Sequence, residues 1–234
     1  MKILILTLWC LVPIGLLAYH YGPGKQGLSL DSTSALLEEA RAHTTAGHSA
    51  KAIAALERAL VALPKDRIHE AREIRLEIAK ARMTNAGLPE AREELAALVE
   101  EINADPQAPA TLRDDALASL ASARFYMTYL MKLEGLPDSE WEPEIEAARQ
   151  ERKLLVQRAT QAGNTAAATR HADDLESAIR LARMEPEELY GLAIPKQCSG
   201  CKSGKCNKPS QKPSQKPKDS RGAGASAPMD GEGS

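Results

Sequence analysis

From Asp31 onward, apolar residues recur every three or four positions, the spacing of a helix face, and do not alternate as they would along a strand. Leu36, Ala40 and His43 lie on one stripe, and Ile53, Leu56, Leu60 and Leu63 lie on the next. Between them, Ala46-Gly47-His48 marks a turn, with Gly47 suited to a helix end. Pro64 stops the second helix, and Asp66 can cap a third that runs to about Asn85 with Ile74, Ile78 and Ala81 on one face. Gly87-Leu88-Pro89 turns the chain into a fourth helix through Leu95, Leu98 and Ile102, which Asp105-Pro106 and Pro109 end. Thr111 with Asp114 forms a weak capping box for a fifth helix, and Ser139 with Glu142 a better one for a sixth, with Pro143 in its first turn. Ile145, Ala148, Leu155 and Ala159 face inward on the sixth helix, and Gly163-Asn164 breaks it. A seventh helix carries Ala168, His171, Leu175, Ile179 and Ala182, ends by Pro186, and leaves room for a short extra turn at Glu187 to Tyr190. The fifth helix is apolar nearly all round in its second half, so Phe125, Tyr126 and Tyr129 are expected at the centre of the core. The predicted fold is all-α, with antiparallel helix pairs and about seven helices over residues 31–190.

The segment before these helices is different. Lys2 precedes an uncharged run of 17 residues, Ile3 to Tyr19, near the lower limit for a membrane-spanning helix. Tyr19, His20 and Tyr21 sit where an interfacial aromatic belt would lie, and no good small-residue cleavage site follows. An uncleaved anchor, a cleaved signal and a buried helix are all compatible with residues 1–21. Lys2 favours an inside N-terminus, which puts the body outside the cytoplasm, at the cell membrane or exported. Residues 22–30, with three Gly, one Pro, one Ser and one Gln, are expected to be a linker.

Small residues recur at matching places in successive helix pairs. Ala40, Gly47, Ala52, Leu56, Ala59 and Pro64 stand at the signature positions of a 32-residue unit starting at Thr33. In this pattern the segment resembles a tetratricopeptide repeat, in which small residues let two antiparallel helices approach and a bulky one fills the gap. A looser copy starts at Arg72, with Ile78, Ala79, Ala91 and Leu95 in place, Arg75 where a large apolar residue is expected, and Gly87 one place late. The resemblance implies a concave groove formed by the first helix of each pair. It assigns Leu37, Arg41 and Thr44 of the first unit and Leu76, Lys80 and Met83 of the second to that groove. Arg41 and Lys80 hold the same place in successive units and would draw a carboxylate or acidic peptide into it. The lysine and asparagine arrangement of the family's chaperone-tail binders is absent.

Composition sharpens the fold. Alanine supplies 39 of 234 residues while aromatics are only 3%, which suits closely packed helices and excludes a sandwich or barrel. The formal charge of −2 divides into a body at −9 over residues 26–195, a tail at +5 over 196–234, and +2 before the body. An acidic body argues against nucleic acid as a partner. No HExxH, P-loop, Rossmann glycine pattern or GxSxG is present, so no enzyme activity and no cofactor are expected. His43 and His171 fall on apolar stripes and read as packing residues. The paired carboxylates, such as Glu93-Glu94 and Asp173-Asp174, read as solvent-face partners for arginine.

The one cluster with its own chemistry is Cys198, Cys201 and Cys206 in the tail, 191–234. Their spacing can hold a metal or cycle as a disulfide, although three thiolates leave a tetrahedral zinc one ligand short. The KPSQ units that follow, with hardly a large apolar group, predict a disordered tail. The expected function is a membrane-anchored or exported protein-interaction module that binds a protein or peptide. An envelope redox or metal-handling protein acting through the cysteines, and a self-assembling structural protein, are the alternatives.

Overall fold

The computed structural model describes residue 12 and residues 23–190. Among the described residues there is no strand, and seven long helices follow one another: α1 Pro23–Thr45, α2 Ser49–Ala62, α3 Ile68–Met83, α4 Leu88–Ala104, α5 Ala110–Leu133, α6 Asp138–Gln161 and α7 Thr165–Arg183. A single turn, α8 Pro186–Leu189, completes them. Each long helix packs chiefly on the next, and α3 also touches α5 and α5 touches α8. Among the described residues no helix is long and apolar enough to cross a membrane. The anchor or signal at residues 3–19 and all four cysteines lie outside the described residues, with Val12 alone excepted.

The helix ends follow from two kinds of punctuation. After α1, α3, α5 and α6 the chain enters the left-handed region, at Gly47, Ala86, Gly135 and Gly163. At each of these ends an amide reaches back five residues: His48 N–H to His43 O, Gly87 N–H to Arg82 O, Leu136 N–H to Met131 O and Asn164 N–H to Ala159 O. These bonds satisfy carbonyls that a helix end leaves free. After α2 and α4 the chain instead leaves extended, at Leu63 before Pro64 and at Asp105 before Pro106. The two kinds alternate from α1 to α5, and α6 breaks the alternation.

Several local expectations change. Residues 23–30 are not a linker but the opening turns of α1, which Pro23 can begin because its φ is already helical. Asp66, Thr111 and Ser139 do not cap: the residues preceding α3, α5 and α6 are Arg67, Pro109 and Pro137, none with a side-chain cap bond. Pro109 and Pro137 lead in with extended ψ, so α5 and α6 start earlier than the capping boxes place them. Pro143 therefore falls inside α6, beyond its first turn. The side chain that does cap is Asn164, whose Oδ1 accepts from Ala167 N–H at 3.1 Å.

The core is three clusters joined by shared helices. The first holds Ala40, Ala55, Leu56 and Ala59 from α1 and α2 with Ile74 and Ile78 of α3. The second holds Leu76, Ala79 and Met83 of α3, the apolar face of α4, much of α5, and Leu155 of α6. The third holds Tyr129, Trp141, Ile145, Ala178, Leu181 and Leu189 from α5 to α8. Helices α3 and α5 thus bury two faces each and act as the links. Of the fully buried large side chains, Leu76, Leu95, Leu98, Ile102 and Leu155 lie in the second cluster and Ile145 and Leu189 in the third. Each contributes about 1.5–3 kcal/mol by leaving water.

Candidate functional site

Helices α5 and α7 both pack on α6, and a cleft of about 240 Å³ opens over α6 between them. Ser122, Phe125 and Tyr126 of α5 form one wall, Asp174 and Ser177 of α7 the other, and Arg152 of α6 lies beneath. Small residues keep the space open: Ala121, Ala148 and Ala178 also line it. Phe125 and Tyr126 are therefore only partly buried and stand edge to face, ring centroids 5.6 Å apart, at a cleft and not at the core's centre. Of the three aromatics of α5, Tyr129 is the one fully in the core.

Arg152 is 8% exposed. Its Nη2 donates to Ser122 Oγ at 2.6 Å, and its Nη1 lies 2.9 Å from Asp174 Oδ2 and 3.3 Å from His171 Nδ1. A guanidinium only donates, so Nδ1 of His171 accepts and the ring proton sits on Nε2. Burial pushes the Arg152 pKa down, opposed by the Asp174 and Glu151 carboxylates. Burial also lowers the His171 pKa, helped by the Arg152 charge, so this imidazole is held neutral. His171 is thus half-buried beside Arg152, with a hydrogen-bonding role that its apolar stripe did not reveal. Arg152 was legible in principle: it stands in the sixth helix between Ala148 and Leu155, on the stripe otherwise reserved for apolar residues.

The residues that the repeat resemblance assigned to a groove have varied settings. Arg41 is exposed and pairs with Glu38 one turn away at 2.7 Å. Thr44 donates to Ala40 O at 2.9 Å, and Leu37 packs partly buried against the first core cluster. Leu76 and Met83 are core residues at 0% and 7% exposure, and Lys80 at 8% pairs with Glu77 at 3.1 Å. The second unit buries these positions because α3 is sandwiched between two core clusters. Arg41 and Lys80 accordingly differ in setting, one in solvent and one nearly covered.

Arginine pairs tie most helix seams. Arg58 of α2 meets Glu39 of α1, and Arg82 of α3 meets both Glu57 of α2 and Glu94 of α4. Arg72 of α3, 7% exposed, reaches Glu101 of α4 and Asp105 just past its end, and Arg75 joins it at Glu101. Arg72 is the main reason that the carboxyls of Glu101 and Asp105 sit below their usual range. Further along, Arg92 of α4 and Arg124 of α5 converge on Glu144 of α6, and Arg158 of α6 meets Asp114 of α5.

A second hollow of about 320 Å³ lies at the end of α7, where Ile179 and Met184 are flanked by Arg183 and Glu188. Lys132 of α5 is 5% exposed, with Nζ 3.8 Å from the centre of the Trp141 ring and 3.4 Å from Ala182 O in the last turn of α7. Burial lowers its pKa, and the ring face and carbonyl hold the cation in place. Among the described residues no group of three or more His, Cys, Asp or Glu is placed to hold a metal ion. The metal or redox candidates Cys198, Cys201 and Cys206 lie outside the described residues. Comparison with protein-family models, with curated proteins and with solved structures finds no match for this chain.

Proposed function

We propose that the chain is a membrane-anchored or exported protein-interaction module, a short tetratricopeptide-like array that docks a segment of a partner protein. The observation that supports this most is the open cleft over α6, because it lies between α5 and α7, the first helices of the third and fourth pairs. That is where an array of this kind would present its concave surface. The cleft's size supports a peptide side chain as the guest. Sites for drug-sized ligands usually enclose about 300–1,000 Å³, and this one is smaller at about 240 Å³. Exposed edges of Phe125 and Tyr126 offer apolar area, and Ser177 and Asp174 on the rim offer polar contacts. In this reading the chain binds and does not catalyse, residues 3–19 hold it at the membrane, and no cofactor takes part.

The test uses the whole chain, recovered from membranes after crosslinking in cells. A partner protein should be captured by the natural chain and lost with Ser177→Trp, which fills the cleft from its exposed rim. Val61→Ser, at an 88% exposed position on α2, should leave capture unchanged. Equal capture by all three, or recovery of the chain from the cytosol with no partner, would refute the proposal.

A further inference from the structure

Two carboxylates of α6, Glu144 and Glu151, lie seven residues apart and so share one helix face. Between them they meet two arginines, but the sharing is unequal. Glu144 receives both Nη2 and Nε of Arg92, the latter at 3.2 Å, and Nη1 of Arg124 at 2.9 Å. Glu151 meets a single group, Nε of Arg124, at 3.1 Å from Oε1. Its other oxygen, Oε2, is buried and has no hydrogen-bond partner. The side chains involved are largely covered, Glu144 at 12%, Glu151 at 15% and Arg124 at 18% exposure.

An ionised carboxylate in such a place is costly, since burial removes its water and one poorly shared donor replaces it. We propose that the Arg92–Arg124–Glu144–Glu151 cluster is a proton-operated switch, in which Glu151 takes up a proton in the folded protein and its ionisation loosens the seam between α5 and α6.

The surroundings of Glu151 point one way. From α5 it faces Arg124, which Glu144 already engages. From α6 it faces the like charge of Glu144, itself held by Arg92 of α4, and the Arg152 cation of the next residue. From α7, Asp174 and the neutral His171 address Arg152 and so reduce what that cation offers Glu151. Burial pushes the Glu151 carboxyl up to about 7, with the Glu144 charge adding to the rise and the Arg124 charge opposing it. A group whose folded pKa exceeds its unfolded value of 4.5 binds its proton only in the native state between those limits. Stability therefore falls as pH rises from about 4.5 to about 7, and is flat on either side as far as this group is concerned. Arg152 also forms part of the cleft, so the charge state of Glu151 acts on the cleft wall as well as on the seam.

The experiment compares urea unfolding of the full chain and of Glu151→Gln between pH 5 and pH 8. Gln mimics the protonated acid, so the two should nearly coincide at pH 5. By pH 8 the folding constant of the natural chain should drop about tenfold or more relative to Glu151→Gln. Carbon-13 titration of the carboxyls in the natural chain supplies a second reading that needs no variant. One glutamate should titrate near neutrality, and Glu144→Gln, which frees Arg124, should lower that midpoint. A constant ratio of folding constants across the range, or every glutamate titrating near 4.5, would overturn the proposal.

Discussion

Position 86 offers a sharp energetic test, because the same substitution should have opposite signs at two sites. Ala86 has φ of 59°, and Gly47, at the matching turn of the first helix pair, has φ of 76°. The left-handed conformation costs an L-residue about 1–2 kcal/mol. Ala86→Gly removes that cost and adds about 0.4–1 kcal/mol of unfolded-state entropy. Ala86 is exposed, so no packing is lost with its methyl group. The net expectation is a gain of about 0.5–1 kcal/mol.

Gly47→Ala runs the same arithmetic backwards and should lose about 0.5–1 kcal/mol. A methyl group there meets nothing within 4 Å, so the loss is one of backbone conformation alone. Ala97→Gly, on the exposed face of α4 with ordinary helical backbone, should cost about 1 kcal/mol. Equilibrium urea unfolding at fixed pH measures all three, with unchanged m-values expected. If Ala86→Gly destabilises the protein as Ala97→Gly does, position 86 is not left-handed in solution and the turn has been misassigned.

Other perturbations follow from the packing and the charges. Leu95→Ala, at a fully buried site in the second core cluster, should cost about 3 kcal/mol in urea unfolding. Asn164→Ala should cost about 1 kcal/mol by removing the cap of α7, and raise hydrogen exchange in its first turn. Arg72→Met should reduce stability at pH 7 and flatten the acid side of the stability profile. Glu101 and Asp105 titrate below their unfolded values because of Arg72, so the stability they add is present above those values and lost as pH falls through the depressed ones. An acid limb equally steep in Arg72→Met would contradict that account.

The periodicity of Leu, Ile and Ala positions was enough to place seven helices, because glycine and proline occupy nearly every boundary. Gly47 and Gly163 read correctly as turns since they hold backbone conformations that other residues avoid. Caps were less legible: a Ser or Thr followed by an acid is common in any helix-rich chain, and at Pro109 and Pro137 the prolines settle the starts first. The departure at Gly87, one place late in the second unit, has a physical trace, as Ala86 takes the left-handed turn in its stead. The cleft was the hardest feature to foresee. It depends on which alanines oppose one another across α5, α6 and α7, and three separate stripes do not reveal their mutual register. Arg152 and Glu151 were visible as charged residues on or beside an apolar stripe, yet helix spacing alone could not tell which arginine each acid would meet.

Packing of each helix mainly on its successor has a consequence for how this chain acquires its structure. Native contacts are close in sequence, so little loop entropy is lost before each is made, and folding should be fast and local. Cooperativity then depends on the links that skip a neighbour: the touch of α3 on α5, Arg92 of α4 reaching Glu144 of α6, Lys132 of α5 reaching Ala182 O of α7, and the touch of α5 on α8. All of them lie from α3 onward. The helices from α3 onward should open as one unit, whereas α1 can detach at the expense of its seam with α2.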